Sequence, residues 1–360
     1  MGRHHFRFDW ITVILFFCLG LFGLFVLLTV NPGLFTQQLI YFGIGFLLLF
    51  ALSTVDPAFL WWFAPIGYIL GNLFLVLSYF GPNIRGATRW ILIGNAQLQP
   101  SEIVKPLIIL ALARFMAQYP PRHVRYVPIH LLLFLLPFVL VFRQPDLGSS
   151  LVYASFWFAM LLAGGFPLGM FIASIAGGTL LLPVLWQILA GYQKARILTF
   201  LNPSLDPKGA GYNALQAMIA VGSGQLFGRG LGRGTQSHLR FLPEFHTDFI
   251  FATLVEELGF LGGLLLFLGY AALLWRIISP LIRGLVKELF PFTYIIGVFA
   301  MLLSQIVINT GMNMGIIPIT GITLPLISYG GSSILSIAVS IGLLWALRQD
   351  KRETESVAIH

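Results

Sequence analysis

The sequence contains few charged residues and almost no cysteine. Only 9% of its 360 residues are Asp, Glu, Lys or Arg, whereas a soluble domain contains about 25%. The single cysteine, Cys18, excludes a disulfide framework and a cysteine-based metal site. The seven histidines are scattered without the HExxH spacing of a zinc helix. No nucleic-acid-binding motif is present, so we expect no nucleic-acid partner.

Apolar residues dominate what remains. Hydrophobic residues make up 58% of the chain, with 33 phenylalanines among them. A soluble domain is nearer 45–50% apolar, so this composition indicates an integral helical membrane protein. The net charge of +8 is typical of a membrane protein that is oriented by its basic residues and contacts anionic lipid head groups.

The apolar runs predict an all-α polytopic membrane protein with about ten transmembrane helices. A helix needs about 20 apolar residues to cross the hydrocarbon core. We assign residues 1–360 to a single integral membrane domain. The first apolar run is too long for a signal-peptide core, so we expect it to be retained as a span. The predicted spans are 10–30, 37–55, 59–80, 102–118, 127–142, 147–163, 166–190, 249–277, 288–315 and 328–348.

Two connections between the predicted spans are long, residues 81–101 and 191–247. The second lies between the seventh and eighth spans and contains an alternation of small and apolar residues over 213–220, which predicts a surface helix. Basic residues in the short connectors and tails place both termini in the cytoplasm by the positive-inside rule. Residues 191–247 are then a large structured extracytoplasmic loop. Its basic residues, together with Arg85, Arg89, Lys105 and Arg143 on the same side, are expected to face an anionic group.

The segment that ends at Asp248 introduces charge at the start of a very apolar helix, with Glu256 and Glu257 a few residues later. Carboxylates are costly near a bilayer. Asp248 is also a suitable N-cap for a helix that begins near Phe249, with the two glutamates solvated in its first turns. Because apolar residues separate the three acids, they cannot all reach water, and we favour a functional role for Asp248.

Two further charged sites allow either a structural or a functional reading. Glu102 and Lys105 are three residues apart and share a helix face, so they form either a local ion pair or part of a site. Asp146 lies in a tight turn after Arg143, where helix capping alone would explain it.

Two glycine-containing stretches also have alternative readings. In 222–234, glycines alternate with Arg229 and Arg233, as in an anion-binding nest or in a simple cluster of turns. In 309–333, Asn, Gly and Pro predict irregular backbone at membrane depth that borders a groove, although tight helix packing by small residues is the alternative.

The order of these motifs resembles the SEDS family of shape, elongation, division and sporulation proteins. The strings that carry the resemblance are QPSE..K at 99–105, QPDLGS at 144–149, LPE.HTDFIF at 242–251 and SYGGSS at 328–333. The match runs from about residue 85 to 335. The compact length is closer to the rod-shape branch of the family than to its division branch.

The resemblance implies a peptidoglycan glycosyltransferase. Such an enzyme polymerises lipid II, a disaccharide-peptide on undecaprenyl diphosphate, at the outer face of the bacterial cytoplasmic membrane. Its implied partner is a class B penicillin-binding protein. The resemblance also implies that Asp248 is the essential carboxylate and that Glu102, Lys105 and Asp146 belong to the site.

Glycan extension requires a base for the attacking sugar hydroxyl and cations for the departing diphosphate. We assign the base to Asp248, although a helix N-terminus and nearby arginines would make it a weak base unless burial offsets them. Mg or Mn could share the diphosphate, but no motif identifies a metal site. The candidate cations for the diphosphate are Lys105, Arg196, Arg229, Arg233 and Arg240.

Two other functions remain open from the sequence: a flippase for lipid II, and a non-catalytic scaffold for the penicillin-binding protein. A transporter needs charged residues through the depth of the membrane, whereas the acids here cluster at one face. We therefore favour the polymerase.

Overall fold

A computed structural model describes residues 9–82, 88–94, 96–189, 191–207, 209–239 and 241–348. The described residues are mostly helical. The helices are α1 (Trp10–Val30), α2 (Pro32–Ser53), α3 (Pro57–Leu77), α4 (Pro100–Ile103), α5 (Lys105–Gln118), α6 (Val127–Arg143), α7 (Leu147–Ala163), α8 (Leu168–Leu180), α9 (Leu182–Ile188), α10 (Gly191–Leu201), α11 (Ala210–Ser223), α12 (Thr235–His238), α13 (Ile250–Ile282), α14 (Leu289–Asn313) and α15 (Gly331–Leu347). Strands β1 (Ile91–Ile93) and β2 (Ala96–Leu98) form an antiparallel hairpin.

In the described ranges, 6 helices are long and apolar enough to cross a membrane. They confirm a multi-pass helical membrane protein, while the count of ten spans stays a prediction. Helices α7, α8 and α15 are apolar but shorter than these. The six candidate spans are Trp10–Thr29, Pro32–Ser53, Pro57–Phe80, Val124–Arg143, Ile250–Ile282 and Leu289–Asn313. The third includes a short 3-10 turn after α3, and the fourth includes one before α6.

Three predicted spans differ from the helices observed, and prolines and a glycine explain the differences. The run 102–118 is broken at Val104, and α5 begins one residue before Pro106. The run 166–190 is divided into α8 and α9 just before Pro183. Proline has no N–H for the preceding helix, so a new helix starts there. The run 249–277 extends to Ile282, with a kink at Gly259.

The centre of the bundle contains α14, which packs against α5 and α7, while α15 packs along α2. Gly297 of α14 permits this contact, because a Cβ there would lie 2.7 Å from the sulfur of Met160 and would also meet Ile109. Small residues allow helices to approach closely where lipid provides no hydrophobic drive.

The predicted surface helix over 213–220 lies within α11, which packs against the first turns of α13. Its buried Ala217 and Ala220 join Leu242, Phe249 and Ala252 in a separate apolar cluster. The described residues of 191–207, 209–239 and 241–247 therefore form helices and turns, and α11 anchors them to the bundle.

Candidate active site

Asp248 lies in the turn segment that precedes α13. The helix begins at Ile250, and its N-cap is Phe249, which makes no side-chain capping bond. Asp248 is therefore not the N-cap, and the capping interpretation is wrong. Its side chain remains partly exposed. A Cβ at Gly321 would lie 3.4 Å from its Oδ2 atom, so the carboxylate faces the irregular backbone that precedes α15.

Two asparagines at the end of α14 fix the backbone at Asp248. The Nδ2 atoms of Asn309 and Asn313 each donate to the carbonyl oxygen of Asp248 at 3.0 Å. Asn309 also donates to the carbonyl of Ile322 at 2.6 Å. These amides bind the backbone carbonyl of Asp248 and not its carboxylate, so the carboxylate is left for other partners.

The segment between α14 and α15 holds the residues just before Asp248. The Ser328 hydroxyl donates to the carbonyl of Thr247 at 2.6 Å, and the Tyr329 N–H donates to the carbonyl of His246 at 2.9 Å. Gln38 of α2 is fully buried and donates to the carbonyl of Ser328 at 2.9 Å. The irregular backbone predicted over 309–333 therefore supports the position of Asp248. Part of it also lines a cavity of about 40 Å³ under α11.

The surroundings of Asp248 make its carboxyl group a better base than an ordinary aspartate. Burial, the largest effect, raises its pKa from 3.8 to about 6. Arg89 lowers this pKa, Glu244 and Asp146 raise it, and Thr247 lowers it through a hydrogen bond. Burial thus outweighs the cationic neighbour that was expected to leave a weak base.

Arg89 is the cation that acts on Asp248, and it was not among the residues selected from the sequence. Its Nη1 atom lies 3.8 Å from Oδ1 of Asp146, and its side chain is 24% exposed. Its buried Nε has no hydrogen-bond partner among the described residues. The signal in the sequence was its place among the outer-side basic residues that are expected to face an anionic group.

Asp146 caps α7 and connects that helix to the segment leading into α4. Its Oδ1 accepts from the Ser149 N–H at 3.0 Å, which confirms the capping interpretation. Its Oδ2 accepts from Gln99 at 2.8 Å and Ser101 at 3.1 Å. Since it also lies beside Arg89, this buried carboxylate has a structural role and a position in the candidate site.

Glu102 and Lys105 form a buried ion pair across the break between α4 and α5. Gln305 of α14 donates to the second carboxylate oxygen of Glu102 at 3.2 Å. The ion-pair interpretation is confirmed. In this conformation the Lys105 ammonium is fully buried and does not reach solvent.

The glycine-rich stretch packs tightly against the kink in α13. Gly259 has φ 71° and ψ −169°, which interrupts the helix. The N–H groups of Phe260 and Leu261 then donate to the carbonyls of Gln225 and Leu226 at 2.8 and 3.2 Å. A Cβ at Gly228 or Gly259 would overlap the opposing backbone. The glycines are thus required for close approach of two backbone segments.

The two buried glutamates of α13 bind this stretch and are not part of the Asp248 site. The Arg229 and Gly230 N–H groups donate to the carbonyls of Glu256 and Glu257 at 2.9 and 3.0 Å. The Glu257 carboxylate accepts from Gly232 N–H at 3.3 Å. These N–H groups already have partners, so the cluster of turns describes the stretch better than an anion nest does.

The arginines predicted to bind diphosphate lie at separate places. Arg229 and Arg233 are exposed on the glycine-rich stretch, and the backbone of Arg229 meets α13 at Glu256. Glu256 lies six residue steps after Ile250, the first residue of α13, which is roughly 9 Å along the helix axis. Arg196 lines the cavity under α11. Arg240 lies outside the described residues. The role of these arginines in binding diphosphate therefore stays a prediction.

The described side chains do not form a metal site of their own. Within the described ranges, no group of three or more His, Cys, Asp or Glu residues converges on one point. A divalent cation would therefore need a diphosphate ligand, as Mg²⁺ often does when it binds through one or two carboxylates and substrate phosphates.

Comparisons with known proteins identify similar proteins and structures. The chain is 38% identical over 292 residues to the peptidoglycan glycosyltransferase MrdB of Escherichia coli strain K12, which covers 80% of this chain and 78% of that protein. It is 34% identical over 357 residues to the peptidoglycan glycosyltransferase RodA of Treponema pallidum, covering 78% and 81% of the two chains.

Two solved structures share the fold. One belongs to work described as "Structural coordination of polymerization and crosslinking by a peptidoglycan synthase complex", with a TM-score of 0.84, 31% identity, and 96% and 99% of the two chains covered. The other is the rod shape determining protein RodA of Thermus thermophilus, with a TM-score of 0.72, 29% identity, and 96% and 98% covered.

The family profile that groups FtsW, RodA and SpoVE, described as cell cycle proteins, matches residues 6–353. This match covers nearly the whole chain and confirms the resemblance to the SEDS family that the motifs indicate. The chain belongs to the FtsW, RodA and SpoVE family.

Proposed function

We propose that this protein is a peptidoglycan glycosyltransferase that polymerises lipid II, with Asp248 as the general base. The names of the similar proteins from Escherichia coli and Treponema pallidum support the activity. The observation that carries the assignment of the base is the Asp248 carboxyl group, partly exposed and with a pKa raised to about 6.

The reaction needs one proton acceptor and a stabilised leaving group. The acceptor sugar hydroxyl attacks the anomeric carbon of the donor, and a new C–O bond forms as the bond to diphosphate breaks. The hydroxyl proton passes to Asp248, while the bonding electron pair leaves with the diphosphate. A base with a pKa near 6 is mostly ionised at neutral pH and still accepts a proton better than an ordinary aspartate. Inversion at this carbon requires no second nucleophilic carboxylate.

Arg89 is the cation best placed for the leaving diphosphate. It acts electrostatically on Asp248, and its Nε is a buried donor without a partner among the described residues. An arginine fork binds phosphate oxygens strongly. Arg196, Arg229, Arg233 and Arg240 remain proposed contacts for substrate, as does a Mg or Mn ion carried by the diphosphate.

Glu102, Lys105 and Asp146 are proposed to position the site. The Glu102–Lys105 pair stabilises the α4–α5 break, and the adjacent Ser101 and Gln99 hold Asp146 beside Arg89. Loss of one partner would leave a buried charge, which is strongly destabilising. Direct contact between lipid II and these residues would require the ion pair to open.

We further propose ten membrane spans, cytoplasmic termini and an active site on the outer face of the cytoplasmic membrane. The segment 191–247 would then be the extracytoplasmic loop, in contact with membrane lipids at its base. A class B penicillin-binding protein is the proposed partner. The likeness to a chain from a peptidoglycan synthase complex supports that partnership.

The test uses the purified protein with its partner synthase and fluorescent lipid II. Wild-type protein should produce a ladder of glycan strands, and Asp248→Asn should produce none. Ladders that persist in Asp248→Asn would remove the assigned base. Since Asn is similar in size to Asp and the Asn309 and Asn313 bonds reach only the backbone carbonyl, the variant should fold.

The same assay separates the two other functions. A non-catalytic scaffold would tolerate Asp248→Asn and would give no ladder without another polymerase. A flippase would move lipid II across vesicles and leave it unpolymerised. Intact ladders for Glu102→Ala and Lys105→Ala would reduce that pair to a local ion pair.

A further inference from the structure

A second polar cavity lies at the end of the bundle where α1 begins and where α13 and α15 end. Its volume is about 390 Å³, and Asp9, Arg276, Arg283 and Arg348 are among the residues that line it. Asp9 caps α1 through the Thr12 N–H at 3.4 Å, while Arg348 follows the last residue of α15.

Helix α1 has 21 residues, so the cavity is roughly 30 Å from the other end of that helix. At that far end the Thr29 hydroxyl donates to the Glu257 carboxylate at 3.0 Å. Glu257 lies in α13, the helix that follows Asp248.

The cavity has an excess of positive charge. Arg276 binds Asp9 with two hydrogen bonds of 3.1 and 2.7 Å. Burial raises the pKa of Asp9, but the hydrogen bonds and charge of Arg276, together with the hydrogen bonds from Thr12, outweigh burial and hold the pKa below its ordinary value. Among the described lining residues Asp9 is the only acid, and its carboxylate accepts both hydrogen bonds from Arg276, so three arginines share one carboxylate there.

The guanidinium group of Arg348 is held by a hydrogen bond to the backbone, and one of its buried N–H donors is unsatisfied. Its Nη2 donates to the carbonyl of Ile277 at 2.7 Å, and its buried Nε has no partner among the described residues. Burial lowers its pKa to about 10, with Asp9 raising and Arg276 lowering it, so it remains a cation at neutral pH. A buried guanidinium donor without a partner is costly, and an anion would satisfy it.

The residues around the cavity indicate that it opens where lipid head groups lie. Trp10 and Ile11 line it, and their side chains are 61% and 53% exposed. Ile282 and Leu285, at the end of α13 and just beyond it, are also exposed. Exposed tryptophan beside apolar residues at a helix end is typical of the membrane–water boundary.

We propose that this cavity binds a phosphate-bearing anion at the membrane surface, through Arg283 and Arg348 with Arg276 held in place by Asp9. Two sources have that chemistry: the head group of an anionic phospholipid and free phosphate. The exposed apolar rim favours the lipid. The bound anion would tie the ends of α13 and α15 to the start of α1.

The test is thermal unfolding of the purified full-length protein in micelles with increasing phosphatidylglycerol or phosphatidylcholine, and separately with inorganic phosphate at constant ionic strength. Arg283→Gln/Arg348→Gln is compared with Arg122→Gln/Arg125→Gln, an equal charge change at exposed arginines in the connector between α5 and α6. A basic residue near an anionic lipid surface contributes about fivefold in affinity. We expect the cavity pair to weaken phosphatidylglycerol binding at least tenfold, because it removes fixed guanidinium donors as well as two charges. The connector pair removes the same two charges without such donors, so it should weaken binding less than the cavity pair does.

Each outcome has a defined meaning. Loss of the phosphatidylglycerol effect in the cavity pair alone supports a lipid site. Equal stabilisation by inorganic phosphate, lost in the same pair, supports the anion site and assigns it to free phosphate. The same response in both pairs, or equal stabilisation by phosphatidylcholine, overturns the proposal. If the cavity pair fails to fold, Arg283→Glu replaces it, because Arg283 is exposed and its loss should not disturb the fold.

Discussion

At the scale of single residues, burial raises the pKa of Asp248 by more than Arg89 lowers it, which makes Asp248 a better base. Its position in an acidic motif made it the leading candidate from the sequence. Its raised pKa depends on which side chains fold around it, and those come from the connection before β1, from α7 and from the turn before α13. The sequence could therefore identify the residue, whereas its environment and the role of Arg89 required the structure.

Two substitutions should shift the pH dependence of polymerisation in opposite directions. Arg89 lowers the pKa of Asp248 and Glu244 raises it. Arg89→Gln should therefore move the midpoint of the pH–rate profile above about 6, and Glu244→Gln should move it below. The measurement is the initial rate of lipid II consumption across pH, with a wild-type profile alongside. Shifts in the same direction would contradict the assigned electrostatics.

Asp248→Asn should stabilise the protein at neutral pH while it removes activity. Because the folded pKa of about 6 lies above the ordinary 3.8, the folded state holds the proton more tightly than the unfolded state. Stability is therefore lost as the pH rises through that window. The substitution should raise the free energy of unfolding at neutral pH by at most about 3 kcal/mol. The increase should be smaller than this limit because the carboxyl group is partly exposed to solvent.

Thermal unfolding in detergent at about pH 5 and pH 8 measures this effect, which should be larger at the higher pH. Asp146→Asn is the matched control. Asp146 accepts hydrogen bonds from Ser149, Gln99 and Ser101, so its substitution should lower the melting temperature. A lower melting temperature for Asp248→Asn at both pH values would contradict the account.

At the scale of elements, proline positions explain why apolar runs overestimate helix length. Pro106 and Pro183 each occupy the second position of a new helix. Both lie inside an apolar run that hydropathy alone predicts as one continuous helix. The prolines that cause these breaks can be seen in the sequence. The kink at Gly259 was not predictable in the same way, because it depends on contact with residues 225–228 of a distant segment.

Gly259→Ala should destabilise the protein. The residue has φ 71°, which is unfavourable for alanine, and its Cβ would overlap the backbone of Gly228 and Leu226. Strain of this kind costs about 1–3 kcal/mol before the overlap is counted. The measurement is the melting temperature in detergent.

Gly43→Ala is the control for this substitution, because a Cβ at that exposed position of α2 meets nothing within 4 Å. It should be neutral or slightly stabilising, as alanine is the better helix former. Equal melting temperatures for the two variants would show that the close approach at the kink contributes little.

At the scale of the whole molecule, the candidate active site and the arginine-lined cavity lie at opposite ends of the bundle. α1 connects the two ends, since Asp9 lies at the cavity and Thr29 contacts Glu257. Composition alone predicted a multi-pass membrane protein, because no soluble core covers so much apolar surface. The sequence did not reveal the cavity, whose arginines come from α13, from the turn after it and from the end of α15.

Cysteine labelling should place the two ends on different sides of the membrane. In a Cys18→Ser background, a cysteine at position 223 should react with an impermeant reagent added to intact cells. A cysteine at position 285, which is exposed beside the cavity, should react only after the membrane is permeabilised. The reverse pattern would invert the proposed topology.

The central claim is that one ionised carboxylate accepts the sugar proton. The most direct measurement is the rate of glycan formation from lipid II by wild-type protein and Asp248→Asn across about pH 5 to 8, with the partner synthase present. The account predicts a wild-type rate that rises through a midpoint near 6. It also predicts a variant that is slower by about 10²- to 10⁴-fold, without that midpoint. A variant that keeps the wild-type rate and pH profile would contradict it.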